Sequence, residues 1–253
     1  RDIMAACIGD YSPPPFEKSV SATSSELAES AIAFQLITLI DECTVFQQEM
    51  MLKESLKRQN FSNIKMRQIV FEPNKGIRAD KRVLSGDAMI KKNSGMHGCI
   101  VYVIRRPGCV FCREEALTLK ILAQKYPELL HGFKIIGIIK EFDADMNGLT
   151  ELHEEYFPFP IYYDESLSFY DAFGRRKVSL TSALVLANPF GTAMQRINKK
   201  KIKGNLIGEG FIQSGVIIYD NSGKPRYMYE EETGLDFPIE FVVKALNTIR
   251  SPK

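Results

Sequence analysis

Residues Cys99 to Ala116 read CIVYVIRRPGCVFCREEA. The first six are apolar and β-rich over a strand's length, Pro107 and Gly108 punctuate the chain, and from Cys109 the pattern turns helical. Residues 109 to 130 read as a helix ended by His131 and Gly132, and FKIIGIIKEF (133 to 142) as a second buried strand. A strand, a crossover helix and another strand form a βαβ unit, with two cysteines at its first turn.

Downstream the alternation continues. MNGLTELHEEY reads as a short helix, FPIYYDE as a strand, and SLSFYDAFG as a helix stopped at Gly174. GVIIYDNSGKPRYMYEE gives two strands about Asn221, Ser222 and Gly223, and FPIEFVVKALNTIR closes the chain as a helix. Parallel strands followed by a hairpin and a terminal helix predict an α/β protein with a thioredoxin-like fold, a central mixed sheet flanked by helices. Upstream, YSPPPFEKSVSATSS falls in a surface arm (1–24). Ser24 or Ser25 caps a long helix, with Glu26 and Glu29 in its first turns, so 25–66 is read as a helical extension. The helix itself covers 25 to 58 and is apolar on more than one side, which calls for burial on its own domain or against a partner. Gln68 to Lys92 mixes signals and reads as the lead-in to a domain of residues 67–251, with an insertion at about 175–208.

The 253 residues can bury a large core without a disulfide scaffold. An apolar fraction of 45% and a charged fraction of 25% match ordinary soluble usage, and a net charge of +2 excludes the strong basic field of a general nucleic-acid binder. The apolar run AIAFQLITLI (31 to 40) is too short for a membrane span, which takes about 20 residues. Five cysteines (Cys7, Cys43, Cys99, Cys109, Cys112) are odd in number and sparse, which points to a reducing compartment. The start at Arg1 without methionine fits a removed targeting segment or a trimmed chain.

The Cys109–Cys112 pair has three readings: a redox dithiol, part of a metal site, or two inert core thiols. A free cysteine with a pKa of about 8.5 is only about 3% thiolate at neutral pH, so a reactive thiol needs help. A sulfur at the first turn of a helix meets unpaired N–H groups and the positive end of the dipole, and Arg105, Arg106 and Arg113 add positive charge. Glu114 and Glu115 oppose them, softened by solvation on the outer face of the helix. Three positions along a helical turn return Cys112 beneath Cys109, which suits a nucleophile and a resolver. A structural zinc site needs four ligands, and only His97, His131 and His153 accompany the pair, with no second CxxC. GNLIGEGFIQSG (204 to 215) lacks the spacing of a phosphate loop, so its glycines are read as permitting close backbone approach beside the active helix. In RINKKKIK (196 to 203) five of eight residues are basic, either as a solvated loop or as an interfacial segment facing membrane headgroups or an acidic partner. His131 is read as stabilising a helix C-terminus, and Cys7, Cys43 and Cys99 as incidental.

Three ordered motifs, RRPGCVFCREEA, FYDAFGRRK and GNLIGEGFIQSGVIIYD, resemble the peroxiredoxin-like 2 family, whose members include prostamide/prostaglandin F synthase and plastid thioredoxin-like proteins. The resemblance covers about residues 80 to 251. It implies a thioredoxin-like fold and antioxidant or thiol-reductant activity, with Cys109 and Cys112 at the family's first and second active cysteines and Arg106, Pro107, Gly108 and Arg113 in support. True peroxiredoxins carry Pro and Thr seven and three residues before the peroxidatic cysteine, where this chain has Tyr102 and Arg106, so efficient peroxide activation does not follow. Thioredoxin's Trp and its Gly-Pro are replaced by Gly108 and Val110-Phe111, and no motif selects a prostaglandin.

Two functions are expected. One is a thiol–disulfide oxidoreductase that needs no bound cofactor or metal, restored by an external dithiol reductant and acting on a disulfide-bearing protein or a small-molecule thiol or peroxide. The other is an accessory subunit of an organellar membrane-protein complex, photosynthetic or respiratory, docked through residues 25–58 and 196–203. Either places the chain in a reducing intracellular compartment, with plastid stroma or mitochondrial matrix favoured over cytosol.

Overall fold

The computed structural model describes residues 61–72, 76–178 and 191–250. The expected arm, the helix 25–58, Cys7, Cys43 and the stretch 179–190 of the insertion lie outside the described residues.

Among the described residues one mixed sheet contains β1 (Lys65–Glu72), β2 (Gly76–Ser85), β3 (Gly98–Val103), β4 (Phe133–Ile139), β5 (Ile161–Asp164), β6 (Gly215–Asp220) and β7 (Pro225–Glu230), in the order β2-β1-β5-β4-β3-β6-β7. β3, β4 and β5 run parallel, and β6 and β7 add antiparallel on the β3 side. Helices α1 (Gly86–Asn93), α2 (Val110–Lys125), α3 (Met146–Glu151), α4 (Ser168–Ala172), α5 (Thr192–Lys199) and α6 (Ile239–Arg250) accompany the sheet. This is the expected thioredoxin-like arrangement. No helix among the described residues is long and apolar enough to cross a membrane.

β3 is buried on both faces, which explains its unbroken apolar run. Ile100, Tyr102 and Ile104 face one core with Ala116, Leu119 and Leu122 of α2 and Val242 and Leu246 of α6. Cys99, Val101 and Val103 face a second core with Met89 and Ile90 of α1 and Phe169 and Phe173 beside α4. The strand is therefore clamped from both sides, and its C-terminal end, where the CxxC begins, is fixed in place.

Two stretches differ from the sequence reading. Helix α2 ends at Lys125 rather than at 130, because Pro127 disfavours helical backbone at Tyr126, which sits at φ −132°, ψ 57°. His131 therefore does not cap that helix; its carbonyl accepts instead from Arg250 at 3.5 Å. The mixed segment 68 to 92 contains the antiparallel β1–β2 pair, with a register shift between Arg67 and Ile69, followed by α1, capped by Ser85 Oγ accepting from Ala88 N at 3.1 Å. β2 is an edge strand, and its charged residues (Arg78 paired with Glu72, Arg82 with Asp80) hide the period of two that a half-buried strand would show. The helical run after Asp145 continues past α3 as a wide turn, Phe157 N donating to Leu152 O at 2.7 Å, which buries Tyr156.

Candidate active site

Cys109 is the N-cap of α2: its backbone is extended (φ −70°, ψ 122°) and its Sγ accepts the Cys112 N–H at 3.5 Å. The sulfur thus takes the place of a capping oxygen at the positive end of the helix dipole. Arg105, at the end of the strand segment, reaches back over the Arg106–Gly108 turn, and its Nη2 donates to Cys109 Sγ at 2.9 Å. The Cys112 thiol, hydrogen-bonded to the sulfur, and then the Arg105 charge hold Cys109 down to about 5, while burial and Glu231 work against them. The balance favours the thiolate at neutral pH. Cys112 is pushed the other way, first by burial and then by its bond to Cys109. One thiol is activated and its neighbour stays protonated.

Both sulfurs are enclosed, Cys109 at 3% exposure and Cys112 at none. Tyr102, on β3, donates through its hydroxyl to Cys112 O at 2.9 Å. Glu231, just after β7, lies 3.3 Å from Arg105 Nη2, and Thr233 Oγ1 takes Arg105 Nη1 at 3.0 Å. Lys140, just after β4, donates to the Arg105 carbonyl, pairs with Glu209 at 3.1 Å and lies 5.0 Å from the Tyr170 ring centroid. Burial lowers its pKa.

The expected supporting residues divide by role. Arg105 alone of the three arginines is hydrogen-bonded to the sulfur. Arg106 donates to Leu206 O at 3.0 Å. Arg113 is fully buried and turns away from the thiols: it donates to Pro107 O (2.9 Å), Lys203 O (2.7 Å) and Gly148 O (3.1 Å), pairs with Glu151 (2.9 Å) and lies over Tyr156. It braces the active turn against α3 and the glycine-rich loop. At Gly108 a Cβ would lie 2.0 Å from Asn205 Oδ1, and at Gly204 it would lie 2.4 Å from Gly108 O. Asn205 N donates to Gly108 O at 2.7 Å, so the loop approaches the active turn backbone to backbone, as its glycines suggest.

Glu114 and Glu115 are not solvated. Glu114 takes Arg196 at 2.7 and 2.9 Å and Lys200 at 2.7 Å, which uses two cations of the basic segment to fasten α5 to α2. Glu115 is buried with Oε2 unpartnered, and burial, then the Glu231 charge, raises its pKa well above the carboxylate range. Glu231, Thr233 and Lys140 escaped the sequence reading, which placed Glu115 on the solvated face of the helix. Arg105, four residues before Cys109, was read as one of three arginines adding charge there, and it is the one that reaches the sulfur.

A family model described as AhpC/TSA antioxidant enzyme matches residues 121–233, a span that starts beyond the dithiol. Peroxiredoxin-like 2A of Bos taurus is 30% identical over 177 residues, covering 68% of this chain and 77% of that protein. The chain belongs to the peroxiredoxin-like 2 family. Its function is accordingly of the redox, antioxidant type. Peroxiredoxin-like 2A of Rattus norvegicus is 32% identical over 62% of each chain, and the prostamide/prostaglandin F synthase of Homo sapiens is 28% identical over 66% of this chain and 84% of the synthase. A Mycobacterium tuberculosis AhpC structure superposes with a TM-score of 0.42 at 12% identity, covering 77% of this chain and 92% of that one.

Proposed function

We propose that the protein is a thiol–disulfide oxidoreductase that works through Cys109 and Cys112. The observation that carries the reading is the asymmetry of the pair: Cys109 Sγ lies 2.9 Å from a buried guanidinium and caps a helix, while Cys112 next to it keeps its proton. The Cys109 thiolate attacks one sulfur of a substrate disulfide, forms a mixed disulfide and expels the other sulfur as thiolate. Cys112 then gives up its proton and attacks Cys109 Sγ, which closes the Cys109–Cys112 disulfide and releases the second substrate sulfur. An external dithiol reverses the oxidation and supplies two electrons; no bound metal or cofactor enters the cycle. Substrates of this chemistry are disulfide-bearing proteins or small disulfides, in a reducing compartment.

Peroxide is a weaker candidate, since Tyr102 and Arg106 stand where a peroxidatic site has Pro and Thr. In the basic segment, Arg196 and Lys200 are engaged with Glu114, leaving exposed Lys199, Lys201 and Lys203 as the charges open to a docking partner. Turnover of a protein disulfide with an excess of small dithiol tests the reading. Cys109→Ser should abolish it and Cys112→Ser should trap the mixed disulfide. Undiminished turnover in Cys109→Ser would sink the proposal.

A further inference from the structure

We propose that Glu231 is a positioning residue that holds the Cys109–Cys112 pair toward the reducing side by sharing a single nitrogen of Arg105 with the Cys109 sulfur. This rests on the redox reading above and adds a residue that sets the poise of the site.

Arg105 Nη2 is 2.9 Å from Cys109 Sγ and 3.3 Å from Glu231 Oε1. That nitrogen carries two hydrogens, so it serves sulfur and carboxylate at once. Arg105 is 5% exposed and Glu231 1%, so both are held out of bulk solvent. The carboxylate is itself fixed: Oε2 accepts the Ser214 hydroxyl and the Ser214 N–H, Oε1 accepts the Thr233 hydroxyl at 3.3 Å, and Glu231 N donates to Ser214 O at 2.9 Å. The β6–β7 pair, antiparallel beside β3, brings this acid to a turn more than a hundred residues earlier in the chain.

The charge count in each redox state gives the direction. In the reduced site one cation faces two anions, the Cys109 thiolate and Glu231. Oxidation to the disulfide removes two electrons and the Cys112 proton, and the sulfur loses its charge. Arg105 then remains paired with Glu231 alone. Without the carboxylate, the reduced thiolate would have the guanidinium to itself, and the oxidised site would bury an uncompensated cation, a costly arrangement. Both differences favour the reduced form once Glu231 is neutralised. The native carboxylate therefore makes the dithiol a stronger reductant. Other titratable groups acting on the thiolate are Cys112 and Glu115 on α2 and Tyr102 on β3, while Lys140 after β4 reaches the Arg105 carbonyl and acts on Cys112. Burial, then the Glu231 charge, raises the Glu115 pKa.

The test compares wild type with Glu231→Gln in the full chain, equilibrated against glutathione buffers of graded potential, alkylated and weighed. A parallel pH titration follows thiolate absorbance. The expected result is a tenfold or larger shift in the oxidation equilibrium toward the dithiol, about 30 mV more oxidising, with the thiolate titrating at lower pH. Glu231→Asp keeps the charge but withdraws it, and should move both readouts the same way by less; it also serves if Glu231→Gln does not fold. Thr233→Val loosens Arg105 without changing charge and should leave the potential within threefold. An unshifted or oppositely shifted Glu231→Gln, or a Thr233→Val shift as large, would overturn the proposal. A wild-type pair with no reversible transition would instead refute the redox function, and the thiolate titration would still decide the role of Glu231.

Discussion

Arg105→Met and Arg113→Met should separate two roles that look alike in the sequence. A full charge 2.9 Å from the sulfur, at an effective dielectric of about 20, is worth about 6 kcal/mol. Burial of the sulfur and the opposing charge of Glu231 offset part of it, leaving about 3 kcal/mol for the thiolate. Its loss should reduce the Cys109 ionisation constant about a hundredfold and return the thiol toward its ordinary range. Arg113 predicts the reverse profile. It touches no sulfur, but its removal takes a buried donor from the carbonyls of Pro107, Gly148 and Lys203 and from half-exposed Glu151, and should cost about 2–4 kcal/mol of stability. The assay pairs a pH titration of thiolate absorbance with urea unfolding. Folded Arg105→Met with an unchanged titration, or Arg113→Met shifting it equally, would refute the assignment.

Glu115→Gln should flatten the pH dependence of stability. The buried acid holds a proton that the unfolded chain releases, so its contribution falls as pH rises from about the unfolded carboxyl pKa toward the raised folded value, by at most about 1.4 kcal/mol per pH unit. Since Cys109, lowered when folded, imposes the opposite trend up to its unfolded pKa, the quantity to read is the difference between variant and wild-type unfolding curves at several pH values. Gly204→Ala should cost about 1–3 kcal/mol in urea melts, because its methyl would lie 2.4 Å from Gly108 O and 2.5 Å from Val110 Cγ1.

The parallel core was legible because β3 and β4 are buried on both faces and need unbroken apolar runs, and because a glycine-bearing turn separates β6 from β7. The β1–β2 pair was not. An edge strand with Arg78, Asp80, Lys81 and Arg82 carries no clean alternation, and only its partners show what it is. At the site, Cys109 and Cys112 could be found because a helix turn makes their contact local. Glu231 and Lys140 reach Arg105 through sheet pairing and loop return, for which a single sequence has no periodic signal. Arg113, read as a charge beside the thiols, and Glu114 and Glu115, read as solvated, were misjudged because α2 is enclosed: backbone carbonyls at Pro107, Gly148 and Lys203 take Arg113, cations of α5 and its cap take Glu114, and Glu115 is buried near Glu231.

The most direct measurement is the redox equilibrium of the native pair: graded dithiol buffers, alkylation, and the masses at Cys109 and Cys112. The account predicts a single reversible two-electron transition in which both cysteines change together. Thiols that stay reduced across the whole range and react only after unfolding would contradict it.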